Sequence, residues 1–356
     1  MTQSNETPQT FPMNAWYVAA WDAEVSRKLL ARTICDQKVV LYRKQDGTPA
    51  ALADACWHRL VPLSIGTVVG DDVRCGYHGL VFSPNGRCVH MPSQETINPS
   101  ACVRSYPVVE RHRFVWIWPG DPALADPALI PSLPWFDDKA WAGDGRMTEV
   151  AADYRLVIDN LMDLTHETYV HASSIGNEAL AEAPFDAFHG DHTARIERWV
   201  INEEAPPFWA GQLGQSANTD RWQIINFLAP STIYLEVGVA PTGTGAPEGD
   251  RSQGVDMRVI HIPTPSTAKT CYYFWCHLRS YKTSEQGLTR RILESGSGIM
   301  IEDEEVIEAQ QRAIDANPGH VFYNLNIDAG SMWARRAIDR MIADDNHPRP
   351  ELVAAE

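Results

Sequence analysis

The chain has 356 residues, 44% of them hydrophobic and 21% charged, which suits one large or two ordinary globular domains and excludes a disordered or collagen-like protein. It contains no apolar run of about 18 residues and no basic-then-apolar N-terminal leader, so neither a membrane span nor export is predicted. The net charge of −16 argues against nucleic acid or an anionic membrane as a partner, and seven cysteines without an export signal indicate a reducing cytoplasm rather than a disulfide framework.

The N-terminal third has the pattern of short strands separated by turns. Residues 38–42 and 114–118 are rich in β-branched and aromatic side chains, and Asp46-Gly47 is a typical turn pair. This pattern predicts an all-β domain over residues 1–120, including an N-terminal extension.

Two short motifs in that domain carry metal-ligand chemistry. Cys56 and His58 form a C-x-H pair, and after sixteen residues Cys75 and His78 form a C-x-x-H pair. In a Rieske [2Fe–2S] centre two thiolates hold one iron and two imidazoles hold the other, which raises the cluster's potential. The four residues therefore predict a Rieske cluster, with each loop supplying one Cys and one His.

A structural zinc site with two Cys and two His ligands is the alternative metal site for these motifs. Zinc sites more often combine a C-x₂₋₄-C pair with an H-x₃₋₅-H pair, so the mixed order favours the Rieske interpretation. The other cysteines show no such pairing and are interpreted as bystanders or small buried side chains: Cys35, Cys88, Cys102, Cys271 and Cys276.

The character of the sequence changes after a proline-rich stretch at residues 119–136. We take residues 121–145 as a connection and residues 146–356 as a second domain. Helix-forming residues at 153–171 precede four strand-like stretches and two further helical segments, which predicts an α+β domain. The strand-like stretches lie at 194–201, 221–240, 255–263 and 271–280, and the helical segments lie at 288–316 and 331–343.

A second group of possible ligands lies in the first of these helical segments. Asp163 and His166 are three residues apart and can share a helix face. His166 and His171 are five apart, which is about 140° around a regular helix, so the helix is predicted to end or distort at Thr165–Val170. Two His and one carboxylate form the facial triad of non-haem Fe(II) oxygenases, with open positions for O₂.

The third ligand of such a triad must come from another part of the chain. The acidic run Glu302-Asp303-Glu304-Glu305 offers candidates, and spacing alone does not choose among them. An acidic run is otherwise typical of a solvated helix face. Histidines such as His166 and His171 can also be capping or packing residues, but a Rieske site on the same chain favours a site that it reduces.

Together these motifs give the chain a resemblance to the Rieske non-haem iron aromatic-ring oxygenases, over nearly its whole length. Within that family it is most similar to the vanillate O-demethylase subgroup, with dicamba O-demethylase as a near relative. Beyond the Rieske motif, the resemblance lies in residues 14–19, 154–176, 205–209, 220–224 and 325–330. The family fold is an all-β Rieske domain followed by a helix-grip (START-like) α+β catalytic domain.

The resemblance also implies roles for individual residues. His166, His171 and Asp303 correspond to the mononuclear iron ligands, and Asn160 to an asparagine near the iron. Asp163 corresponds to the family's bridging aspartate, which would hydrogen-bond His166 and approach His78 of the next subunit in a trimer. His261 is similar to a position lining the substrate pocket of the dicamba enzyme, although a lone strand histidine is more often simply packed.

The implied activity is that of a terminal monooxygenase. A flavin and iron–sulfur reductase passes electrons from NAD(P)H to the cluster and on to the mononuclear iron, which uses O₂ to demethylate an aromatic acid. Vanillate would give protocatechuate and formaldehyde. The alternatives are another aromatic acid as substrate for demethylation or ring hydroxylation, an electron-transfer Rieske protein without oxygenase activity, and a zinc-stabilised binding module.

The sequence departs from the family pattern beside the cluster. Trp57 replaces a usual proline between the first Cys and His, and Arg59-Leu60-Val61-Pro62 replaces a more typical Arg-Gly-Ala-Pro. These changes leave the four ligands in place.

Overall fold

A computed structural model describes residues 10–172, 175–176, 178–214 and 218–346 of the chain. Two compact units are present. Unit 1 takes the described residues of Met1–Ser132, Thr264–Ala268 and Asp339–Glu356, and unit 2 takes those of Leu133–Pro263 and Lys269–Ile338. Residues 1–9 of the predicted N-terminal extension, and residues 347–356 of the predicted second domain, lie outside the described residues.

The N-terminal part of unit 1 is built of short antiparallel strands, as predicted. They are β1 (Tyr17–Trp21), β2 (Leu30–Ile34), β3 (Gln37–Arg43), β4 (Pro49–Ala53), β5 (Thr67–Val69), β6 (Asp72–Arg74), β7 (Val81–Phe82), β8 (Cys88–His90), β9 (Ser105–Tyr106), β10 (Val108–Arg111) and β11 (Phe114–Ile117). They form three sheets, with strand orders β1-β11-β10, β2-β3-β4-β9 and β5-β6-β7-β8.

The core of unit 1 explains where its two motif loops lie. Val40, Tyr42 and Phe82 are fully buried in one apolar cluster, and that cluster also contains Cys56 and Cys75. Burial of β-branched and aromatic side chains supplies the main stabilisation of such a small all-β unit. The loops that carry the two cysteines are therefore fixed against a close-packed core.

Unit 2 is a large sheet with helices, which confirms the predicted α+β class. Its strands are β12 (Ala142–Val150), β13 (Phe185–His189), β14 (Thr193–Glu204), β15 (Asn218–Leu228), β16 (Thr232–Pro241), β17 (Val255–Thr267) and β18 (Thr270–Arg279). The order across the sheet is β12-β18-β17-β16-β15-β14-β13. The helices of the second half of the chain are α1 (Tyr154–Met162), α2 (His166–Val170), α3 (Glu178–Glu182), α4 (Pro207–Leu213), α5 (Gln286–Ala316) and α6 (Ala329–Asn346).

Strand β12 was not predicted, because its sequence is poor in strand-forming residues. It contains Gly143, Asp144 and Gly145 and pairs with β18 along its whole length. A Cβ at Gly143 would lie 1.9 Å from the His277 carbonyl oxygen, and one at Gly145 would lie 2.2 Å from that of Trp275. The glycines that weaken the strand pattern are thus required by the close approach of β18.

Within the described residues, the structure contains no helix long and apolar enough to cross a membrane.

Candidate active site

The two motif loops of unit 1 are built on the same backbone pattern. In each, the cysteine N–H donates to the carbonyl five residues later, Val61 or Leu80, at 2.8 Å. The cysteine carbonyl then accepts from the N–H four residues later, at 2.8 Å for Leu60 and 3.2 Å for Gly79. Both of those residues have positive φ, +58° and +74°.

Leu60 therefore occupies a left-handed position where the second loop has glycine. A non-glycine residue is strained there by about 1–2 kcal/mol. The Leu60 side chain is 75% exposed, so it gains little from burial. Nothing in the structure explains the choice of leucine at this position.

The four predicted cluster ligands are divided by residue type. Cys56 and Cys75 are 2% and 3% exposed, and their thiols are close enough to hydrogen-bond. His58 and His78 are exposed, with ring centroids 4.7 Å apart. An inner pair of thiols and an outer pair of imidazoles fit the two irons of a Rieske cluster.

The Cys56 thiol holds its proton in the metal-free chain. Its pKa is raised to about 11, mainly by burial; the backbone N–H of His58 opposes this increase and the neighbouring Cys75 contributes to it. A metal must therefore displace a proton to bind here. None of the seven cysteines, all of which are described, is in a disulfide, and the five outside the motifs are buried except for the exposed Cys102.

In unit 2 the helical segment predicted over residues 153–171 is divided into two helices, α1 and α2. Helix α1 ends at Met162, and Asp163 caps it with extended backbone angles of −110° and 113°. The Asp163 carboxylate accepts from the N–H of Thr165 at 2.7 Å, and α2 begins at His166. The helix ends at Val170, between His166 and His171, as predicted, but the additional interruption at Asp163–Thr165 was not predicted.

This turn brings both histidines to one carboxylate. The Nε2 atoms of His166 and His171 lie 3.5 and 3.1 Å from Oδ1 of Asp303 on α5. One possible ligand atom of each of the three residues lies within 4.8 Å of those of the other two, and Asp303 is only 3% exposed. In the described parts of the chain, no other set of His, Cys, Asp or Glu converges in this way on a single point.

The other ring nitrogen of each histidine is already hydrogen-bonded. His166 Nδ1 bonds the main-chain carbonyl of Asp163, and His171 Nδ1 bonds Oε2 of Glu302 at 2.6 Å. With Nδ1 donating, Nε2 is the nitrogen of each ring that faces Asp303 and would bind a metal. Two imidazole nitrogens and one carboxylate, already oriented, fit the donor set of a non-haem iron site.

Two of these contacts correct details of the sequence interpretation. The bond between Asp163 and His166 runs through the Asp163 main-chain carbonyl, not through its carboxylate. Glu302 is not simply a solvated helix residue, because it orients His171. Its position immediately before Asp303 gave no signal of this, since the contact depends on how α5 packs.

Charges around the site affect His171 before any metal binds. Burial lowers the pKa of His171, but the hydrogen bond and negative charge of Asp303, with Glu302 and Glu167, outweigh it and raise the pKa to about 9. The Asn160 amide donates to Asp303 Oδ1 at 3.1 Å, while its own buried carbonyl oxygen has no hydrogen-bond partner among the described residues. Asn160 thus lies beside the triad, the position that the resemblance to the family implied.

The triad opens onto a cavity of about 390 Å³. Its wall is mostly apolar, including Phe208, Trp209 and Ile292, with a few polar side chains between them. This volume and character are typical of a pocket for a small organic molecule.

His261 lines this cavity, and Tyr273 Oη lies 2.6 Å from its Nδ1. Burial lowers the pKa of His261 to about 3 and that of its neighbour His277 to about 4. Both rings are therefore neutral at physiological pH.

A second polar group in the cavity wall was not found from the sequence. Glu167, Arg221 and Gln223 are all buried and line the cavity together. Arg221 and Gln223 alternate on β15, which is a weak signal that both side chains are on the same face of the sheet.

The chain matches two family descriptions in the expected order. Residues 15–107 match the Rieske [2Fe-2S] domain, and residues 150–344 match the vanillate O-demethylase oxygenase C-terminal domain.

Individual proteins are similar over almost the whole chain. The vanillate O-demethylase oxygenase subunit of Pseudomonas sp. strain HR199 is 44% identical over 97% of this chain and 99% of its own length. The iron-sulfur subunit of the toluene-4-sulfonate monooxygenase system of Comamonas testosteroni is 39% identical over 94% of this chain and 98% of its own. A crystal structure of dicamba monooxygenase with non-haem iron and dicamba superimposes with a TM-score of 0.83 and 34% identity, covering 95% of this chain and 99% of that one.

Proposed function

The chain belongs to the Rieske non-haem iron oxygenases of the vanillate O-demethylase type, and from this we propose that it removes the methyl group of a methoxylated aromatic acid, with vanillate as the expected substrate. The observation that carries the proposal is the convergence of His166, His171 and Asp303 on the wall of an apolar cavity. An electron-transfer Rieske protein has no need of such a site.

The proposed reaction replaces an aryl methyl ether by a phenol. One oxygen atom of O₂ is inserted into a methyl C–H bond, and the resulting hemiacetal loses formaldehyde. The other oxygen atom leaves as water, which consumes two electrons and two protons. For vanillate the aromatic product is protocatechuate.

We propose that Cys56, His58, Cys75 and His78 hold the [2Fe–2S] cluster and that His166, His171 and Asp303 hold the mononuclear iron. These groups supply the electron storage and O₂ activation that the side chains cannot provide. The chain's own part is to fix both imidazoles through the Asp163 carbonyl and Glu302, to keep Asn160 against Asp303, and to hold the substrate in the cavity.

His261 is proposed to contact the substrate as a neutral donor. The Tyr273 hydroxyl can donate to His261 Nδ1 at 2.6 Å or to the Met300 sulfur at 3.4 Å. When Tyr273 donates to Nδ1, the His261 proton is on Nε2. A neutral ring with an N–H group can then donate to a substrate oxygen without carrying charge.

The names of the similar proteins support an anionic aromatic substrate. Vanillate is a carboxylate and toluene-4-sulfonate is a sulfonate.

Because these relatives are called oxygenase or iron-sulfur subunits, a separate reductase supplies the electrons. We propose that this reductase carries a flavin and an iron–sulfur centre and takes electrons from NAD(P)H, and that the protein acts in the cytoplasm, where seven free cysteines remain reduced.

We further propose that the protein is a homotrimer in which His78 of one subunit approaches Asp163 of the next. Within the same subunit, Arg198 is a charged neighbour of Asp163. Burial lowers the pKa of Arg198, while the negative charge of Asp163 raises it, so the two side chains are electrostatic neighbours. The exposed ring of His78 is free to meet another subunit.

Asp163→Asn is expected to fold and retain both metal sites, because an asparagine oxygen can still accept from Thr165 and the carbonyl bond to His166 belongs to the main chain. If the Asp163 carboxylate hydrogen-bonds His78 of the next subunit, the loss of its charge should slow electron transfer from the cluster to the mononuclear iron by about 10- to 100-fold. Stopped-flow reoxidation of the pre-reduced cluster by O₂ with substrate measures this rate. Reoxidation at the wild-type rate would leave Asp163 with only its helix-capping role.

The proposed activity is tested by substrate-dependent oxygen uptake. Purified protein with a generic flavin and iron–sulfur reductase should consume O₂ with vanillate and release protocatechuate and formaldehyde in equal amounts. A series of methoxybenzoates with the methoxy group at different ring positions would then define the substrate. If none of these acids stimulates uptake while the cluster is reduced normally, the proposed function is wrong.

A further inference from the structure

One cavity-wall side chain has hydrogen-bonding capacity that the described protein does not use. Arg221 is 5% exposed and, of the cavity-lining residues in the described part of the chain, it is the only arginine or lysine. Its Nη2 lies 3.4 Å from Oε2 of Glu167, a long contact, and its buried Nη1 has no hydrogen-bond partner among the described residues. A buried polar group without a partner requires an explanation.

The need to neutralise the buried Glu167 carboxylate does not fully explain why an arginine is present at position 221. The amide of Gln223 donates to both carboxylate oxygens of Glu167, at 2.7 and 2.8 Å. The guanidinium has five N–H donors in a planar fork, and only the one long contact to Glu167 joins the two side chains. Arg221 therefore retains donors for a further acceptor.

Among the described wall residues, no other side chain offers an anion a positive charge when His166 and His171 bind a metal. His261 and His277 are buried and neutral, and His166 and His171 converge on Asp303. A carboxylate that enters an apolar cavity loses its hydration and needs a charged or strongly donating partner. Arginine suits this role because its fork matches the two oxygens of a carboxylate.

We propose that Arg221 binds the carboxylate of the aromatic acid and sets the preference of the cavity for anionic over neutral ligands. This inference rests on the proposed function, since it assumes that an aromatic acid occupies the cavity. It makes Arg221 a specificity-determining residue that acts on the acid group, away from the bond that is broken.

The test compares two ligands that differ only in charge. Titration calorimetry under anaerobic conditions, on cluster- and iron-loaded protein, gives Kd for vanillate, for other methoxybenzoates and for their primary amides. In Arg221→Met the Kd of the acids should rise about 30-fold or more, as expected for a lost buried charge pair, while the Kd of the amides changes little.

A second variant separates ligand binding from a structural role. In Arg221→Met/Glu167→Gln both charges are removed, so no unpaired carboxylate remains in the wall. If Arg221 serves only to neutralise Glu167, the double variant should regain the wild-type affinity for the acids. If Arg221 binds the acid group, the loss of acid affinity should persist.

Arg258→Met is the matched control. Arg258 is on β17 between Met257 and Val259, which line the cavity, so its own side chain faces the other side of the sheet. It is paired with Asp256 at 2.9 Å and Glu236 at 3.5 Å, and thus also loses ion pairs when replaced. The ratio of acid to amide affinity should remain at the wild-type value in this variant.

Two results would overturn the inference: an equal loss of affinity for acids and amides in Arg221→Met, or recovery of acid affinity in the double variant. Wild-type protein that binds acids and amides alike would also contradict it, without affecting the proposed demethylation. Wild-type protein that binds none of the acids would contradict both proposals.

Discussion

Asp303→Ala is expected to abolish turnover and to lower the iron content from about three to about two per polypeptide, while the visible spectrum of the cluster is unchanged. Asp303 supplies the only carboxylate of the convergent set, and both Nε2 atoms and the Asn160 amide are directed at its Oδ1. Alanine leaves two imidazoles, which are too few donors to retain Fe(II). Iron analysis, the visible spectrum and oxygen uptake on the same preparation measure all three effects.

Two other acidic residues of α5 provide the comparison. Glu302→Ala removes the partner of His171 Nδ1 and is expected to weaken iron binding by about 10- to 100-fold without eliminating it. Glu305→Ala is the matched control, because Glu305 is exposed on the same helix, and it should retain iron and activity. If Glu302→Ala removes all of the third iron and Asp303→Ala does not, the carboxylate ligand is Glu302.

The cluster motif could be found from the sequence because its chemistry is local. Cys56 and His58, like Cys75 and His78, lie within a single turn, so the spacing alone limits where their side chains can point. The repeated turn in both loops shows why the spacing is informative, since each places its cysteine in the core and its histidine outside. The departures Trp57 and Leu60 do not disturb this, because the turn is closed by main-chain hydrogen bonds, one of which Leu60 itself donates to Cys56.

The mononuclear site could be predicted only in part, because it joins distant segments. Spacing indicated correctly that the helix ends between His166 and His171, but it did not indicate the earlier interruption at Asp163–Thr165. The position of the turn is fixed by the Asp163 side chain capping the N–H of Thr165, a local polar bond that apolar periodicity does not register. Choosing Asp303 over its acidic neighbours required the resemblance to the family, since the packing of α5 decides which carboxylate faces the histidines.

The polar wall of the cavity could not be predicted from periodicity at all. Arg221 and Gln223 stand in a strand that mixes polar and apolar residues, and their role depends on Glu167 from another element. Strand β12 could not be predicted for the same reason, because its glycines are explained only by the close approach of β18. In both cases a tertiary contact, not a local preference, determines the residue type.

Replacing a cluster ligand, as in Cys75→Ala, is expected to bleach the red-brown colour and to remove about two irons per polypeptide. Cys75 is buried beside Cys56 in the core of unit 1, so its loss leaves the inner iron with a single thiolate. His58→Ala should remove a ligand of the other iron and bleach the colour in the same way. Both variants should lose oxygen uptake, because electrons no longer reach the second site.

Cys88→Ala is the matched control for this loss. Cys88 is also buried in the same apolar cluster, but its thiol lies 3.3 Å from the main-chain carbonyl of His90 and belongs to neither motif. Its replacement should cost about 1 kcal/mol of stability and leave the spectrum intact. Visible absorption and iron analysis on the three variants and the wild type decide between the two metals considered for this site. Colourless wild-type protein with one zinc per chain would contradict the Rieske assignment, since zinc has no redox chemistry with which to serve the iron at His166, His171 and Asp303.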